Sequence, residues 1–142
     1  MPNIDFSVWP TPQRSWNEIR DLARWADDGP WTSIWFADHF MPNTEDGSPK
    51  DGPVEECWSI IAALAAVTSR LRIGSLVSPT TFRHPAVLAN SAATIDRISG
   101  GRLILGIGAG WQVNEHQAYG VDMLEPADRV DRFEEAIVII RS

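Results

Sequence analysis

The chain has 142 residues, of which 44% are hydrophobic and 22% charged, as expected for one globular domain with a real core. Its formal net charge of -7 excludes the extended basic surface that nucleic acids and anionic membranes require. The longest apolar run, over residues 60–67, is too short to span a membrane, the N-terminus does not resemble a signal peptide, and Cys57 is the only cysteine, so we expect a reducing cytoplasm and no disulfides.

The first predicted unit is a strand over residues 4–9, with Phe6 and Val8 among its buried side chains. A helix follows, in which Ser15 is placed as the N-cap and Glu18 completes a capping box. The Asp-Gly-Pro sequence at 28–30 ends this helix. Apolar residues at helical spacing predict one buried stripe: Trp16, Ile19, Leu22, Ala23 and Ala26.

The second predicted strand, over residues 33–37, is almost wholly apolar, which is typical of parallel sheets covered on both faces. A long polar loop follows over residues 38–53. The next predicted helix covers residues 54–68, the third strand 71–77 and its loop 78–84. The side chains predicted to be buried by this helix are Trp58, Ile61, Ala62 and Ala65.

Pro85 fits the first position of a third helix, which the glycines at 100–101 end. The fourth strand, over residues 102–106, leads into a glycine-rich segment at 106–110. Pro126 then opens a fourth helix. The stripe of the third helix is Leu88, Ala92, Ile95 and Ile98, and that of the fourth is Val130, Phe133, Ile137 and Ile140.

Four successive strand–helix units predict a single α/β domain over residues 1–142, with parallel strands joined by right-handed crossovers. Two architectures remain open: an open doubly wound sheet and half of a (β/α)8 barrel. A complete barrel needs about 250 residues. The periodicity of the sequence does not choose between the two.

Four polar or glycine-rich segments follow predicted strands, at 9–10, 38–40, 74–83 and 108–116. Sites in α/β folds gather at the carboxyl ends of the strands, so we expect these segments to share one rim. Asp38 and His39 are the sharpest pair among them. The imidazole can relay a proton, and the adjacent carboxylate could orient it. A structural reading, with Asp38 as a cap and His39 as a packing residue, is equally open.

Gly106, Gly108 and Gly110 resemble a dinucleotide fingerprint but fail it, because Trp111 stands where the last glycine is required. These glycines either let the backbone approach a flat ring or form a structural turn. His84 is expected at a helix entry, Cys57 is expected to pack, and the three histidines lack the spacing of a zinc site. The tryptophans expected near the pocket are Trp9, Trp35 and Trp111.

The segment from Phe82 to Gly120, FRHPAVLANSAATIDRISGGRLILGIGAGWQVNEHQAYG, resembles the luciferase-like monooxygenase superfamily. The strings FADHFMPN at 36–43 and DGPVEECW at 51–58 are similar to its deazaflavin-dependent branch. The resemblance covers nearly the whole chain. It implies a (β/α)8 barrel that binds its cofactor at the carboxyl ends of the strands, with this chain as the N-terminal half.

The resemblance also implies roles for single residues. His39 and Asp38 would be catalytic and lie against the reactive face of the ring. A non-prolyl cis peptide is expected at Ser75–Leu76, in a bulge that supports the ring, with Ser78 on the same rim. After the fourth strand, the residues matched to cofactor contacts are Ala109, Gly110, Trp111 and Asn114.

Two departures from the family pattern stand out. In the related sugar-phosphate dehydrogenases a glutamate acts as an acid toward the ring, and here Trp111 occupies that position, which disfavours sugar-phosphate oxidation and favours a more apolar substrate. Strands five to eight, which supply much of the phosphate site, are missing from this sequence. We therefore expect either a truncated chain or a homo-oligomer that pairs two half barrels.

The resemblance implies an oxidoreductase that transfers hydride between coenzyme F-420, a deazaflavin, and a small organic substrate. An FMN-dependent monooxygenase is the alternative enzyme. A third alternative is an inactive half barrel that acts only as a structural or interaction module. Neither nucleic acid nor membrane is expected as a partner.

Overall fold

The computed structural model describes residues 4–42 and 52–142. The predicted polar loop over 38–53 and the quoted strings at 36–43 and 51–58 therefore lie partly outside the described residues. Within the described ranges, the strands are β1 (Ser7–Val8), β2 (Ser33–Phe36), β3 (Arg72–Ser75), β4 (Ser78–Pro79), β5 (Leu103–Ile104) and β6 (Ile107–Gly108). The helices are α1 (Trp16–Asp28), α2 (Cys57–Val67), α3 (Pro85–Ser99), α4 (Val113–Ala118) and α5 (Pro126–Arg141).

The main sheet is parallel, with the strand order β1-β2-β3-β5. The order follows the chain without the reversal that defines a doubly wound sheet. The four long helices contact one another in chain order, α1 with α2, α2 with α3, and α3 with α5, which places them on one face of the sheet. This arrangement is that of the wall of a (β/α)8 barrel.

The helix boundaries follow local capping chemistry. Ser15 and Glu18 form the predicted capping box, in which the Ser15 backbone N–H donates to the Glu18 carboxylate over 3.0 Å. His84 caps α3 by accepting the Ala86 backbone N–H at 3.2 Å, and Pro85 takes the first helical position. Gly100 ends α3 in the left-handed conformation, with φ 69°, as helix C-caps commonly do. These predictions from the sequence are confirmed.

The hydrophobic core lies between the helices and the sheet. Cys57 packs within this core, as expected, and its thiol lies 3.8 Å from the Phe36 carbonyl oxygen. Burial raises the pKa of this thiol well above its usual value, with the nearby Asp38 and Glu56 acting in the same direction, so Cys57 stays protonated and unreactive. The side chains at the centre of the core are Ile19, Ile34, Phe36, Ile61, Leu64, Ile73 and Leu88.

Three side chains predicted to be buried are exposed instead. Phe6 is 61% exposed because it precedes β1, an edge strand that pairs only with β2. Ile98 is 54% exposed, since α3 turns Ile95 and Ser99 inward in its last turns. Val130 is 49% exposed on α5, whose main contact with another helix is with α3.

The third and fourth predicted strands, 71–77 and 102–106, are each shorter than predicted, and each is followed by a second short strand. β4 pairs with β6 in a separate two-stranded sheet, where the Ser78 N–H donates to Gly106 O over 2.8 Å. The break after β3 contains a cis peptide bond at Leu76–Val77, one residue later than predicted. The Leu76 N–H donates to Phe36 O over 2.7 Å, so the Ser75–Leu76 peptide still belongs to the parallel ladder and keeps the trans form.

Two arginines tie the helices together at the amino ends of the strands. Arg102, just before β5, donates to carbonyl oxygens of Ala65, Thr68 and Leu71 and to that of Ser99, and also to the Thr68 hydroxyl. These contacts use all five guanidinium donors. Arg70, just before β3, donates to carbonyl oxygens at the end of α1 in the same manner. Each arginine satisfies the free carbonyl groups of a helix C-terminus.

Candidate functional site

The carboxyl ends of the strands enclose a pocket of about 240 Å3. It brings together residues from all four segments that sequence analysis placed at one rim, with Trp9 from the first of them. Trp35, which was also expected near the pocket, does not line it. The lining residues are Trp9, Ala37, His39, Leu76, Val77, Pro79, Gly110 and Trp111.

His39 is the ionisable side chain of this pocket. Its Nδ1 lies 2.8 Å from Oε1 of Glu115, and its ring contacts the edge of Trp111 at a centroid distance of 5.8 Å. The other carboxylate oxygen of Glu115 accepts the Phe40 backbone N–H at 2.9 Å. Glu115 is only 1% exposed, so the carboxylate that holds the imidazole is shielded from water.

Asp38 does not orient His39, contrary to the sequence prediction. Both of its carboxylate oxygens accept hydrogen bonds from the Arg83 guanidinium, at 2.6 and 3.1 Å. Successive residues at a strand end point in opposite directions, and this alternation turns Asp38 inward and His39 toward the pocket. Burial raises the pKa of Asp38, although the positive charge of Arg83 opposes that shift.

Arg83 also pairs with Glu56, which caps α2 by accepting the backbone N–H groups of Trp58 and Ser59. Burial acts to raise the pKa of Glu56, but the hydrogen bonds from Ser59 and Trp58 and the charge of Arg83 together lower it. The cluster of Asp38, Glu56 and Arg83 thus joins the loop after β2, the start of α2 and the loop after β4.

Two serines expected at the cofactor site have their hydroxyl groups engaged inside the protein. Ser75 is fully buried and its hydroxyl donates to Gly106 O over 2.8 Å. Ser78 accepts the Trp58 indole N–H at 2.9 Å. Leu76 and Val77, between them, expose their side chains and line the pocket. A cofactor role for Ser75 and Ser78 remains a prediction.

The glycines after the fourth predicted strand are required by the protein itself. A Cβ at Gly106 would lie 2.2 Å from the Ser75 carbonyl oxygen, and one at Gly108 would lie 2.8 Å from the Val77 side chain. Gly110 has φ +86°, and its Cβ would lie 2.9 Å from the Thr81 hydroxyl. Close packing of the two broken strands therefore accounts for Gly106 and Gly108, and the positive φ of Gly110 suits a structural turn. The approach of a flat ring to this segment remains a prediction.

His116 is fully buried, and both of its ring nitrogens are engaged. Nδ1 lies 2.7 Å from the Gln112 carbonyl oxygen and Nε2 lies 2.7 Å from the Thr81 hydroxyl. A carbonyl oxygen only accepts, so Nδ1 carries the proton, and a neutral ring accepts the hydroxyl proton at Nε2. His116 therefore joins α4 to the loop after β4.

The remaining predicted cofactor residues lie beside this cluster. Ala109 and Gly110 form the half-buried turn before α4, and the Asn114 side chain accepts the Glu115 backbone N–H at 2.9 Å. Trp111 lines the pocket and is 61% exposed. Of these four residues, Gly110 and Trp111 line the pocket; direct contact between any of them and a cofactor is a prediction.

Sequence reasoning missed Glu115, and α4 that carries it, and gave no role to Arg83. The sequence did place both residues within segments expected at the rim, Glu115 in 108–116 and Arg83 in 74–83, and this was the only indication of a role that it gave. Their partners lie 76 and 45 residues away in the chain. Periodicity carries no information about pairings over such separations.

The geometry suits a planar, largely apolar group. The pocket is lined by aliphatic side chains at 76, 77 and 79 and by the exposed aromatic side chains of Trp9 and Trp111, and His39 contributes an imidazole, a group able to carry a proton. Large apolar side chains left exposed around a concave site are typical of a surface that a ligand covers. Among the described residues, no group of His, Cys, Asp and Glu is arranged to hold a metal ion. None of the described helices is both long and apolar enough to cross a bilayer.

Comparison with known proteins gives a consistent picture. A family model described as luciferase-like monooxygenase matches residues 3–142. The chain is 37% identical over 126 residues to an F420-dependent glucose-6-phosphate dehydrogenase of Amycolatopsis mediterranei, covering 86% of this chain and 37% of the relative. It is 30% identical over 125 residues to 4-hydroxyprotoasukamycin monooxygenase of Streptomyces nodosus, covering 88% of this chain and 31% of that protein.

A solved structure of an F420-dependent secondary alcohol dehydrogenase superposes with a TM-score of 0.84 and 22% sequence identity, covering 99% of this chain and 42% of that one. At this identity the likeness shows the fold alone. The fold is that of part of a luciferase-like (β/α)8 barrel, as predicted. The chain spans well under half the length of the relatives that it matches.

Proposed function

The chain belongs to the luciferase-like monooxygenase family, and from this membership we propose that its pocket takes part in binding a deazaflavin, coenzyme F-420, for hydride transfer to or from a small organic substrate. The observation that carries the proposal is the placement of His39 between apolar walls in one pocket at the carboxyl ends of the strands. The similarity to F420-dependent dehydrogenases supports the choice of cofactor.

When bound, a deazaflavin supplies a two-electron hydride centre that reacts poorly with oxygen. The residues of this chain would supply the surroundings. Leu76, Val77 and Pro79 would exclude water from the pocket, and Trp9 and Trp111 would offer aromatic surface for stacking. His39 would hold or accept the proton that accompanies hydride transfer. Asp38 would act through the Arg83 pair that fixes the loop before His39 rather than by touching the substrate.

The pocket volume of about 240 Å3 lies below the roughly 300–1,000 Å3 of typical ligand sites. The relatives carry much more chain than this sequence, and we propose that further strands complete the wall and supply the site for the cofactor's phosphate groups. The activity proposed here is therefore that of the completed barrel.

A visible-absorbance titration tests the cofactor assignment. We expect saturable binding of the oxidised deazaflavin, and Trp111→Ala should weaken it roughly tenfold through lost stacking. Trp25→Ala is the matched control, because Trp25 is a comparably exposed tryptophan on α1 that does not line the pocket. Equal weakening by both substitutions, or no deazaflavin binding, would contradict the proposal.

The alternative function is an FMN-dependent monooxygenase, which the similarity to 4-hydroxyprotoasukamycin monooxygenase favours. The same titration with FMN separates the two, since preferential binding of FMN would select this alternative. Failure of both titrations would favour the third reading, in which the half barrel is only an interaction module.

For the substrate, we propose a small molecule more apolar than a sugar phosphate. Several relatives are named glucose-6-phosphate dehydrogenases, but Trp111 offers no proton donor comparable to a carboxylic acid. We further propose a homo-oligomer that pairs two half barrels. We also propose a cytoplasmic location, which suits a single, buried and unpaired cysteine, Cys57.

A further inference from the structure

We propose that Glu115 is a positioning residue that fixes the tautomer of His39, holding the ring proton on Nδ1 and leaving Nε2 as an acceptor. This inference rests on the proposed function for its purpose, since it says which nitrogen of His39 serves a bound molecule. Its evidence is independent of any cofactor. It comes from the contacts of one buried carboxylate.

The first step is the geometry of that carboxylate. Oε1 of Glu115 lies 2.8 Å from Nδ1 of His39, and Oε2 accepts the Phe40 backbone N–H at 2.9 Å. Both distances are those of short, charge-assisted hydrogen bonds. The carboxylate therefore contacts two successive residues of the loop after β2, and both of its oxygens are engaged.

The second step is the direction of the hydrogen bonds. A backbone N–H can only donate, so Phe40 requires an acceptor at Oε2. A carboxylate offers acceptors only, so the ring nitrogen that faces Oε1 must carry a proton. In a neutral imidazole the other nitrogen, Nε2, then has a free lone pair. Among the described residues Nε2 has no hydrogen-bond partner, and the ring lines the pocket.

The third step concerns the neighbouring acid. Asp38 is adjacent to His39 in the sequence, but both of its oxygens are taken by Arg83. Among the described residues, Glu115 is thus the carboxylate that faces the imidazole, and it approaches from α4. One side chain consequently couples the loop after β2 to the segment that carries Trp111.

The ring nitrogens can be observed directly by long-range proton–nitrogen correlation NMR on labelled protein. In the native protein we expect Nδ1 of His39 to have the nitrogen shift of a protonated site and Nε2 that of a site with a free lone pair. His116 should show the same pattern, because its Nδ1 faces the Gln112 carbonyl oxygen. His84 should show the opposite one, because its Nδ1 accepts the Ala86 N–H. His39→Gln and His84→Gln assign the signals.

Glu115→Gln gives the decisive comparison. The Phe40 N–H still requires an acceptor, so the amide oxygen takes that position and the amide NH2 turns toward Nδ1. Nδ1 must then accept, and the proton moves to Nε2. We expect the nitrogen pattern of His39 to reverse while those of His84 and His116 stay unchanged. Glu135→Gln, on the exposed side of α5, is the matched control and should leave all three rings as they are.

Two results would overturn the inference: a native His39 already protonated at Nε2 alone, or an unchanged His39 pattern in a folded Glu115→Gln variant. If the Glu115→Gln variant does not fold, the nitrogen shifts of His39 in the native protein alone test the inference. Deazaflavin titration of the same samples separates the two proposals. If the His39 nitrogen pattern reverses in Glu115→Gln but the native protein binds no deazaflavin, the role of Glu115 stands and the proposed function is rejected. If the native protein binds deazaflavin but the pattern does not reverse, the proposed function stands and the role of Glu115 is rejected.

Discussion

The ionisable residues around the pocket form two separate clusters. Asp38, Glu56 and Arg83 form one, and His39 with Glu115 forms the other. Asp38 and His39 are consecutive in the chain, yet each finds its partner in a different loop. The first cluster holds the framework of the rim, and the second presents a proton-transferring group to the pocket.

Arg83→Met should destabilise the protein by about 3–5 kcal/mol at neutral pH, because it leaves the buried Asp38 carboxylate without its cation. Burial already raises the pKa of Asp38 against the opposing charge of Arg83, and loss of that charge raises it further. A folded-state pKa above the unfolded one means that stability falls as the pH rises toward the folded value. The loss in the variant should therefore be smaller at acidic pH.

Urea unfolding at both pH values measures this difference. Arg97→Met, which removes an exposed arginine from α3, should change stability by less than about 0.5 kcal/mol. Adding Asp38→Asn to Arg83→Met should recover part of the loss, because a neutral amide is less costly to bury than an unpaired charge. Equal effects of the two arginine substitutions would show that the cluster contributes nothing.

At this scale the sequence predicted which residues lie at the pocket rim better than it predicted what they contact. The position of His39 at a strand end followed from the alternation of strands and loops. The partners of Asp38 and His39 did not follow, because Arg83 and Glu115 lie 45 and 76 residues away and only tertiary packing brings them near. The sequence predicted that another group approaches the backbone closely at Gly106 and Gly108. It did not predict that this group is the protein's own Ser75 and Val77.

At the scale of elements, the joint between α1 and β3 depends on Asp27. Its carboxylate accepts the backbone N–H groups of Ser69, Arg70 and Leu71 at 2.7–2.8 Å and the Ser69 hydroxyl at 3.0 Å. Partial burial acts to raise its pKa, but these hydrogen bonds together outweigh burial and lower it. The last turn of α1 thereby fixes the segment that leads into β3.

Asp27→Asn should cost about 1–3 kcal/mol at neutral pH, because the amide NH2 faces backbone donors. The folded-state pKa of Asp27 lies below the unfolded one, so its stabilisation is present above the unfolded value and is lost as the pH falls through the folded value. The native protein should therefore lose stability below about pH 4 more steeply than the variant does. Chemical unfolding across this range tests it, with the exposed neighbour Asp28→Asn as control; parallel curves for native protein and Asp27→Asn would contradict it.

The sequence predicted a helix correctly where its capping residues and its apolar periodicity agree. Examples are α1, which Ser15 caps, and α3, which begins at Pro85 and is ended by Gly100. The predictions failed where tertiary surroundings decide. The predicted third and fourth strands break because their ends must pair with each other as β4 and β6. The short helix α4 has no apolar stripe, and its inward residues, Glu115 and His116, are polar.

At the scale of the whole molecule, the outer edges of β1 and β5 have no strand beside them within residues 4–42 and 52–142. Ile4 and Phe6 lie exposed just before β1, and such edges are sites of strand addition. We expect the 142-residue chain to self-associate, with light scattering after size exclusion reporting at least the mass of two chains. Phe6→Lys should shift the population toward a single chain, whereas Trp25→Lys on α1 should not. A native protein that runs as a stable monomer would contradict this.

The arginines at 70 and 102 have a consequence for how such a molecule can change. They fasten the helices at the opposite end of the sheet from the pocket, and apart from the Thr68 hydroxyl all of their acceptors are main-chain carbonyl oxygens. Main-chain oxygens are offered by any amino acid, so most of these hydrogen bonds do not depend on the side chains around them. Side chains at the amino ends of the strands can therefore be substituted with little effect on how the helices are held, independently of substitutions in the pocket at the carboxyl ends.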